Sequence, residues 1–130
     1  SAFREKVNKL RDLYTGHLLY DFNVFDRSEF QEVIQLIENR SDEKCIRKLV
    51  LAAHGKATPK NESDFEASME FGSESLTETN ISDMFEGIKF CSPCHLELRV
   101  CHIGKSQKLA NSLKEKYPCK ITMYDTYVKP

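Results

Sequence analysis

Apolar positions fall into blocks whose spacing switches between a helical and a strand period along the whole chain. Phe3, Val7, Leu10 and Tyr14 recur at helical spacing and Gly16 follows, which predicts a short amphipathic helix over residues 1–15. The stretch HLLYDFNVFD, from His17 to Asp26, is rich in aromatic and branched residues over a strand's length. Ser28 then opens SEFQEVIQLIENR with Gln31 three positions on, a capping-box pattern, and Phe30, Val33, Ile34 and Ile37 form one apolar stripe. After the polar turn NRSDEK comes KLVLAAHG, in which Leu49 to Ala53 are apolar without a break. That run reads as a buried strand closed by His54 and Gly55.

The segment GKATPKNESD reads as a polar loop. In FEASMEF, Phe65, Ala67, Met69 and Phe71 alternate with Glu66, Ser68 and Glu70, the pattern of a strand with one wet face. It predicts a small β excursion after the His-Gly strand. Asn80 is a candidate cap for a helix carrying Ile81, Met84, Phe85 and Ile88. A strand HLELRVC follows, then a helix from about Ser106 with Leu109, Ala110, Leu113 and Tyr117, and KITMYDTYV closes the chain as a strand. Glu97 and Arg99 share the parity of Cys101, which suggests an edge or partly exposed strand. Strands alternating with helices predict an α/β fold: a three-layer sandwich with a mainly parallel sheet and helices on both faces.

Composition narrows this picture. The 130 residues are 40% hydrophobic and 30% charged, as expected of one compact domain spanning 1–130. Apolar runs of five or six residues are far short of the roughly 18 to 20 that cross a bilayer, so a soluble chain with no membrane partner is expected. With 19 basic and 20 acidic residues there is no electrostatic footprint for nucleic acid, and Lys105, Lys108, Lys114 and Lys116 read as a solvated helix face. Five cysteines, an odd number, predict a reducing, cytoplasmic compartment over a disulfide framework, with export by a non-classical route left open. Glycosylation patterns begin at Asn39, Asn61 and Asn80, but these have meaning only in a secreted protein and carry no weight in a reducing compartment.

The chemistry concentrates on two strand ends. In a parallel sheet, functional residues gather at the carboxyl ends of the strands. AAHG and RVCHIG each close an apolar strand with a reactive side chain followed by glycine. A cysteine attacks a carbonyl as thiolate, so it needs a base to hold its proton and backbone N–H groups aimed at the developing oxyanion. His54 supplies the base, and the amides of Gly55 and Cys101 are candidate oxyanion donors. His102, next to Cys101, reads equally as lining the cleft or as exposed, whereas His17 and His95 read as surface or strand-end residues.

This order of strand, helix, strand-His-Gly, hairpin, helix, strand-Cys, helix and strand over residues 17–128 resembles the caspase-like cysteine peptidases. That clan includes separase, gingipains, clostripain-like enzymes, toxin self-processing domains and CHAT domains, and the last two are nearest in pattern. His54 and Cys101 stand 47 residues apart, an interval comparable to the family's. The resemblance implies a flavodoxin-like strand order, His54 as base, Gly55 as oxyanion donor and Cys101 as nucleophile. It implies cleavage of a peptide bond in a protein substrate or in the parent chain, with no cofactor or metal. A non-catalytic protein-interaction domain of the same fold is the alternative. Substrate preference and oligomeric state stay unassigned.

CSPCH, from Cys91 to His95, has the spacing of c-type haem attachment, but it abuts a strand pattern where an axial-ligand helix is needed. A thioredoxin-like site requires a helix after the motif, and HLELRV follows. As zinc ligands, Cys91, Cys94 and His95 need a fourth from His102 or Cys119. A cysteine-containing turn before a strand is the simpler reading. CHIGKS fails as a phosphate loop because Arg99 stands where a glycine is required, and as a phosphatase loop because Gln107 replaces the needed arginine.

Overall fold

A computed structural model of the chain describes residues 26–40 and 44–127. The expected helix over 1–15 and most of the expected strand over 17–26 lie outside the described residues. Helix α1 spans Arg27–Arg40, followed by β1 (Ile46–Pro59), β2 (Phe65–Phe71) and β3 (Glu74–Leu76). Helix α2 (Glu78–Asp83), β4 (Phe90–Val100), a 3₁₀ turn (Ile103–Lys105), α3 (Gln107–Lys116) and β5 (Lys120–Thr122) complete the order. The architecture is α/β, and no helix of the described residues is long and apolar enough to cross a membrane.

The five strands form one mixed sheet in the order β3-β2-β1-β4-β5. β1, β4 and β5 run parallel as its core, while β1 to β2 and β2 to β3 are antiparallel, so the excursion expected after His54-Gly55 is a meander on one side. The sheet is therefore less parallel than its sequence pattern suggests. β1 serves both halves: Ile46 to Ala53 pairs with β4, and His54 to Pro59 pairs with β2. The expectation that the strand stops at His54 is corrected here. GKATP continues it to Pro59, because Gly55 and Ala57 face Met69 and Ala67 and extend the antiparallel ladder.

Period-two alternation divides the sheet into unlike faces. Leu51, Ala67, Met69, Phe71, Leu96, Leu98 and Val100 point inward and are buried. Phe30, Ile34, Ile81, Leu109 and Leu113 from the helices, with Phe85 and Tyr117 just beyond the ends of α2 and α3, join the same core cluster. Edge-on ring contacts of Phe30 with Phe71 at 5.7 Å and with Phe85 at 6.0 Å fasten α1 to this face, as favoured by the ring quadrupoles. All three helices thus cover one side of the sheet, and the described residues form two layers. On the other side Val50 is 44% exposed, and Ala52 and His54 are open to solvent. The unbroken apolar run of β1 is buried at alternate positions only.

Helix termini follow local chemistry, with two shifts from expectation. α1 is capped by Asp26, whose Oδ1 accepts from the Glu29 amide at 2.8 Å, and not by Ser28. α2 is capped by Thr77, with Asn80 at its third position completing a reciprocal box. α3 starts where expected, and Ser106 is its cap, accepting from the Leu109 amide at 3.1 Å while its hydroxyl donates to the buried Glu78 carboxylate. Lys60 approaches the other oxygen of Glu78 at 3.5 Å. Ser106→Ala removes a cap and one partner of a buried carboxylate together. It is expected to cost about 2 kcal/mol, read as a lowered denaturant midpoint.

All five cysteines are accounted for. Cys45 bridges Cys91 and Cys94 bridges Cys119, leaving Cys101 as the thiol outside both disulfides. The paired cysteines run against the expected reducing compartment, since such bridges persist where the environment is oxidising. They also remove the haem, zinc and redox readings of CSPCH, because Cys91 and Cys94 each bond to a different partner strand region. No metal-holding cluster occurs among the described residues. The segment is not a turn before the strand. It lies within β4 as an irregularity, since the register steps from Ile46 opposite Phe90 to Lys48 opposite His95.

Candidate functional site

Parallel register brings the two predicted residues together. Ala53 lies opposite Val100 in the last matched pair of β1 and β4, so His54 and Cys101 come next on neighbouring chains at the carboxyl edge of the parallel core. Adjacent strands are about 4.8 Å apart, and alternation directs both residues away from the buried face of Ala53 and Val100. His54 is exposed and Cys101 half-buried. On the other side of His54, the antiparallel ladder sets Glu70 directly opposite. Cross-strand neighbours on one face have Cβ atoms about 4.5 to 5.5 Å apart, which sets the Glu70 carboxylate beside the His54 imidazole, with Cys101 in the turn just past the end of β4. Glu70 was not identified from the sequence. Its outward parity in FEASMEF was legible, but its pairing with His54 depends on β1 continuing past Gly55.

Gly55 belongs to the inner face. A Cβ placed on it would lie 2.2 Å from Val100 Cγ1 and 3.1 Å from both the Cys101 carbonyl oxygen and Ile103 Cγ2. The absence of a side chain is what allows the Cys101 turn to close over β1. This packing requirement accounts for the glycine whatever its amide does. Gly55→Ala is expected to destabilise the domain by about 3 kcal/mol through overpacking, and Val100→Ala in the same chain should restore part of the loss. Denaturation of the two single variants and the double variant tests the coupling; simple additivity would contradict it.

The turn carrying Cys101 is anchored from the chain's far end. His102 adopts a left-handed conformation with φ of 64°, and its amide donates to the Thr126 carbonyl at 3.0 Å. Its ring packs edge-on against Tyr127 at 4.5 Å. Gly104 donates to the Tyr124 carbonyl at 2.8 Å, where a Cβ would come within 2.8 Å of the same backbone. His102 thus adjoins the site but is held by the closing segment.

Below Cys101 on the outward face, Arg99 pairs with Glu97 at 3.0 Å and lies over the Tyr124 ring at 5.7 Å. The Tyr124 hydroxyl donates to the same Glu97 oxygen at 3.1 Å. The Arg99 hydrogen bond, reinforced by Tyr124, holds the Glu97 carboxyl below the usual carboxylate range, against the opposing effect of burial. β4 is consequently no edge strand. It lies between β1 and β5, and Glu97, only 9% exposed, is tolerated there because both partners reach it. His95 meets Thr122 at 2.7 Å and is half-buried. A groove of about 590 Å³ opens at the opposite, amino edge, lined among others by Phe85, Ile88, Phe90 and Pro118. His54 and Cys101 lie on an open face.

Comparison of the chain with protein-family models, with curated proteins and with solved structures gave no match.

Proposed function

We propose that the domain is a caspase-like cysteine peptidase in which Cys101 is the nucleophile and His54 its base. One observation carries the reading: the parallel register of β1 and β4 ends with Ala53 opposite Val100, so a histidine and a cysteine, 47 residues apart in sequence, are the residues that follow it at the carboxyl edge of the parallel core. The Cys101 thiolate attacks the carbonyl carbon of a peptide bond, forming the thioester, while His54 protonates the departing amine. Water activated by the same imidazole then releases the acid and regenerates the thiol. Glu70 stands across from His54 on the neighbouring strand, where its carboxylate is available to orient the imidazole. The amides of Gly55 and Cys101 serve the oxyanion.

The two disulfides support an oxidising setting for this chemistry, in which the other four cysteines are bonded and cannot compete as nucleophiles. A peptidyl electrophile should therefore label Cys101 alone, and His54→Ala should slow that labelling about 100-fold or more. Peptide mapping after timed exposure is the measurement. Equal rates with and without His54 would remove the dyad.

Exposed Val50 and Ala52 beside His54 favour a second reading, a recognition surface that binds a protein partner without cleaving it. Under that reading Val50→Asp abolishes function while Cys101→Ala preserves it.

A further inference from the structure

The bridges Cys45 to Cys91 and Cys94 to Cys119 change the meaning of a pattern set aside in the sequence. Disulfides of this kind form in oxidising compartments such as the secretory pathway, where Asn-x-Ser/Thr is an acceptor for carbohydrate. Three of the six asparagines begin that pattern. Serine and threonine make up roughly one residue in eight, so chance alone supplies fewer than one.

The fold distinguishes the three. Asn80 lies in the first turn of α2, where its Oδ1 accepts from the Thr77 amide and hydroxyl, and the hydroxyl residue of its pattern, Ser82, is buried. The pattern beginning at Asn39 runs into residue 41, outside the described residues. Asn61 stands exposed at the tip of the β1 to β2 hairpin, among exposed Lys60, Glu62 and Ser63, in a loop closed by the Lys60 amide donating to the Asp64 carbonyl at 3.0 Å. Its Oδ1 accepts from the Ser63 amide at 3.0 Å and from the Ser63 hydroxyl at 3.3 Å. This Asx turn holds the pattern's hydroxyl against the acceptor amide.

We propose that Asn61 is an N-glycosylation site, taking an oligosaccharide from a lipid-linked pyrophosphate donor. The side-chain amide nitrogen forms a bond to C1 of the first sugar as the bond from C1 to the pyrophosphate oxygen breaks. The lipid pyrophosphate leaves with the bonding pair, and the amide gives up one proton to a base of the transferase. Carbohydrate at the hairpin tip projects into solvent and disturbs no core contact, so the modified chain folds as the unmodified one does. The proposal is independent of the peptidase reading.

The test uses the protein recovered from its own cells. Enzymatic release of N-linked carbohydrate in heavy-oxygen water converts a modified asparagine to aspartate bearing the heavy atom, located by peptide mass spectrometry. The expected result is the heavy label at residue 61, with Asn61→Gln and Ser63→Ala both abolishing it and Glu62→Gln preserving it. An unlabelled Asn61 peptide overturns the proposal, whether or not Asn39 or Asn80 carries carbohydrate. Recovery of all five cysteines as thiols overturns it equally, since the compartment it requires would be the wrong one.

Discussion

Cys101→Ala is expected to lower peptide-bond cleavage by about 10⁴-fold or more while leaving the folded state nearly intact. The size follows from the role: removal of a nucleophile eliminates the covalent route altogether and leaves only what binding and oxyanion stabilisation contribute. His54→Ala should fall almost as far, and the double variant no further, because a nucleophile and its base act as a unit. The stability expectation has a separate basis. Cys101 is half-buried at the end of β4, outside both bridges, so trimming its thiol removes little apolar area and costs about 1 kcal/mol or less. Cleavage of the full-length parent protein and the denaturant midpoint should be measured on the same preparations. Retained cleavage in Cys101→Ala at an unchanged midpoint would end the peptidase reading.

Removing the disulfides should do the opposite, costing stability at a distance from the chemistry. The loop closed by Cys45 and Cys91 spans 46 residues and that closed by Cys94 and Cys119 spans 25. Restriction of the unfolded chain by loops of these lengths corresponds to about 4 and about 3.5 kcal/mol at 25 °C. Domains of this kind have a total of about 5 to 15 kcal/mol, so loss of both bridges leaves little margin. Cys45→Ala/Cys91→Ala and Cys94→Ala/Cys119→Ala should each lower the unfolding midpoint strongly. Both bridges fasten the amino edge of the parallel core, where β4 and β5 begin, whereas His54 and Cys101 sit at its carboxyl edge. Each variant should therefore keep its labelling at Cys101 under conditions where it remains folded. A midpoint unmoved by reductant would count against the bridges.

Local periodicity made much of this architecture legible. The stripe of Phe30, Val33 and Ile34 on α1, the alternation in β2 and the start of α3 after Ser106 all stand where their patterns put them. Long-range pairing was less accessible. Five successive apolar residues from Leu49 to Ala53 imply burial on both sides, yet Val50 is among the most exposed apolar side chains described. A continuous run cannot specify how many layers cover it. Gly55 was read as a candidate oxyanion donor, and its packing against Val100 Cγ1 was not legible, because that atom comes from β4 and depends on tertiary register. An odd cysteine count argues against a complete framework without arguing against a partial one, and connectivity is not encoded in spacing. His54 and Cys101 stand out in the sequence because strand ends carry a local signature; the placement of Glu70 opposite His54 does not, because a cross-strand neighbour has none.

The hydrogen bonds from His102 and Gly104 to Thr126 and Tyr124 make the closing segment a handle on the turn that carries Cys101. Anything that tugs on or docks against residues 124–126 acts on the backbone immediately after Cys101, through two bonds and no intervening element. Tyr124 also donates to Glu97, so one displacement there would loosen the outward face of β4 and tilt the Cys101 turn together. The position of the thiol relative to His54 is thus adjustable from a part of the chain that contributes nothing to the reacting atoms.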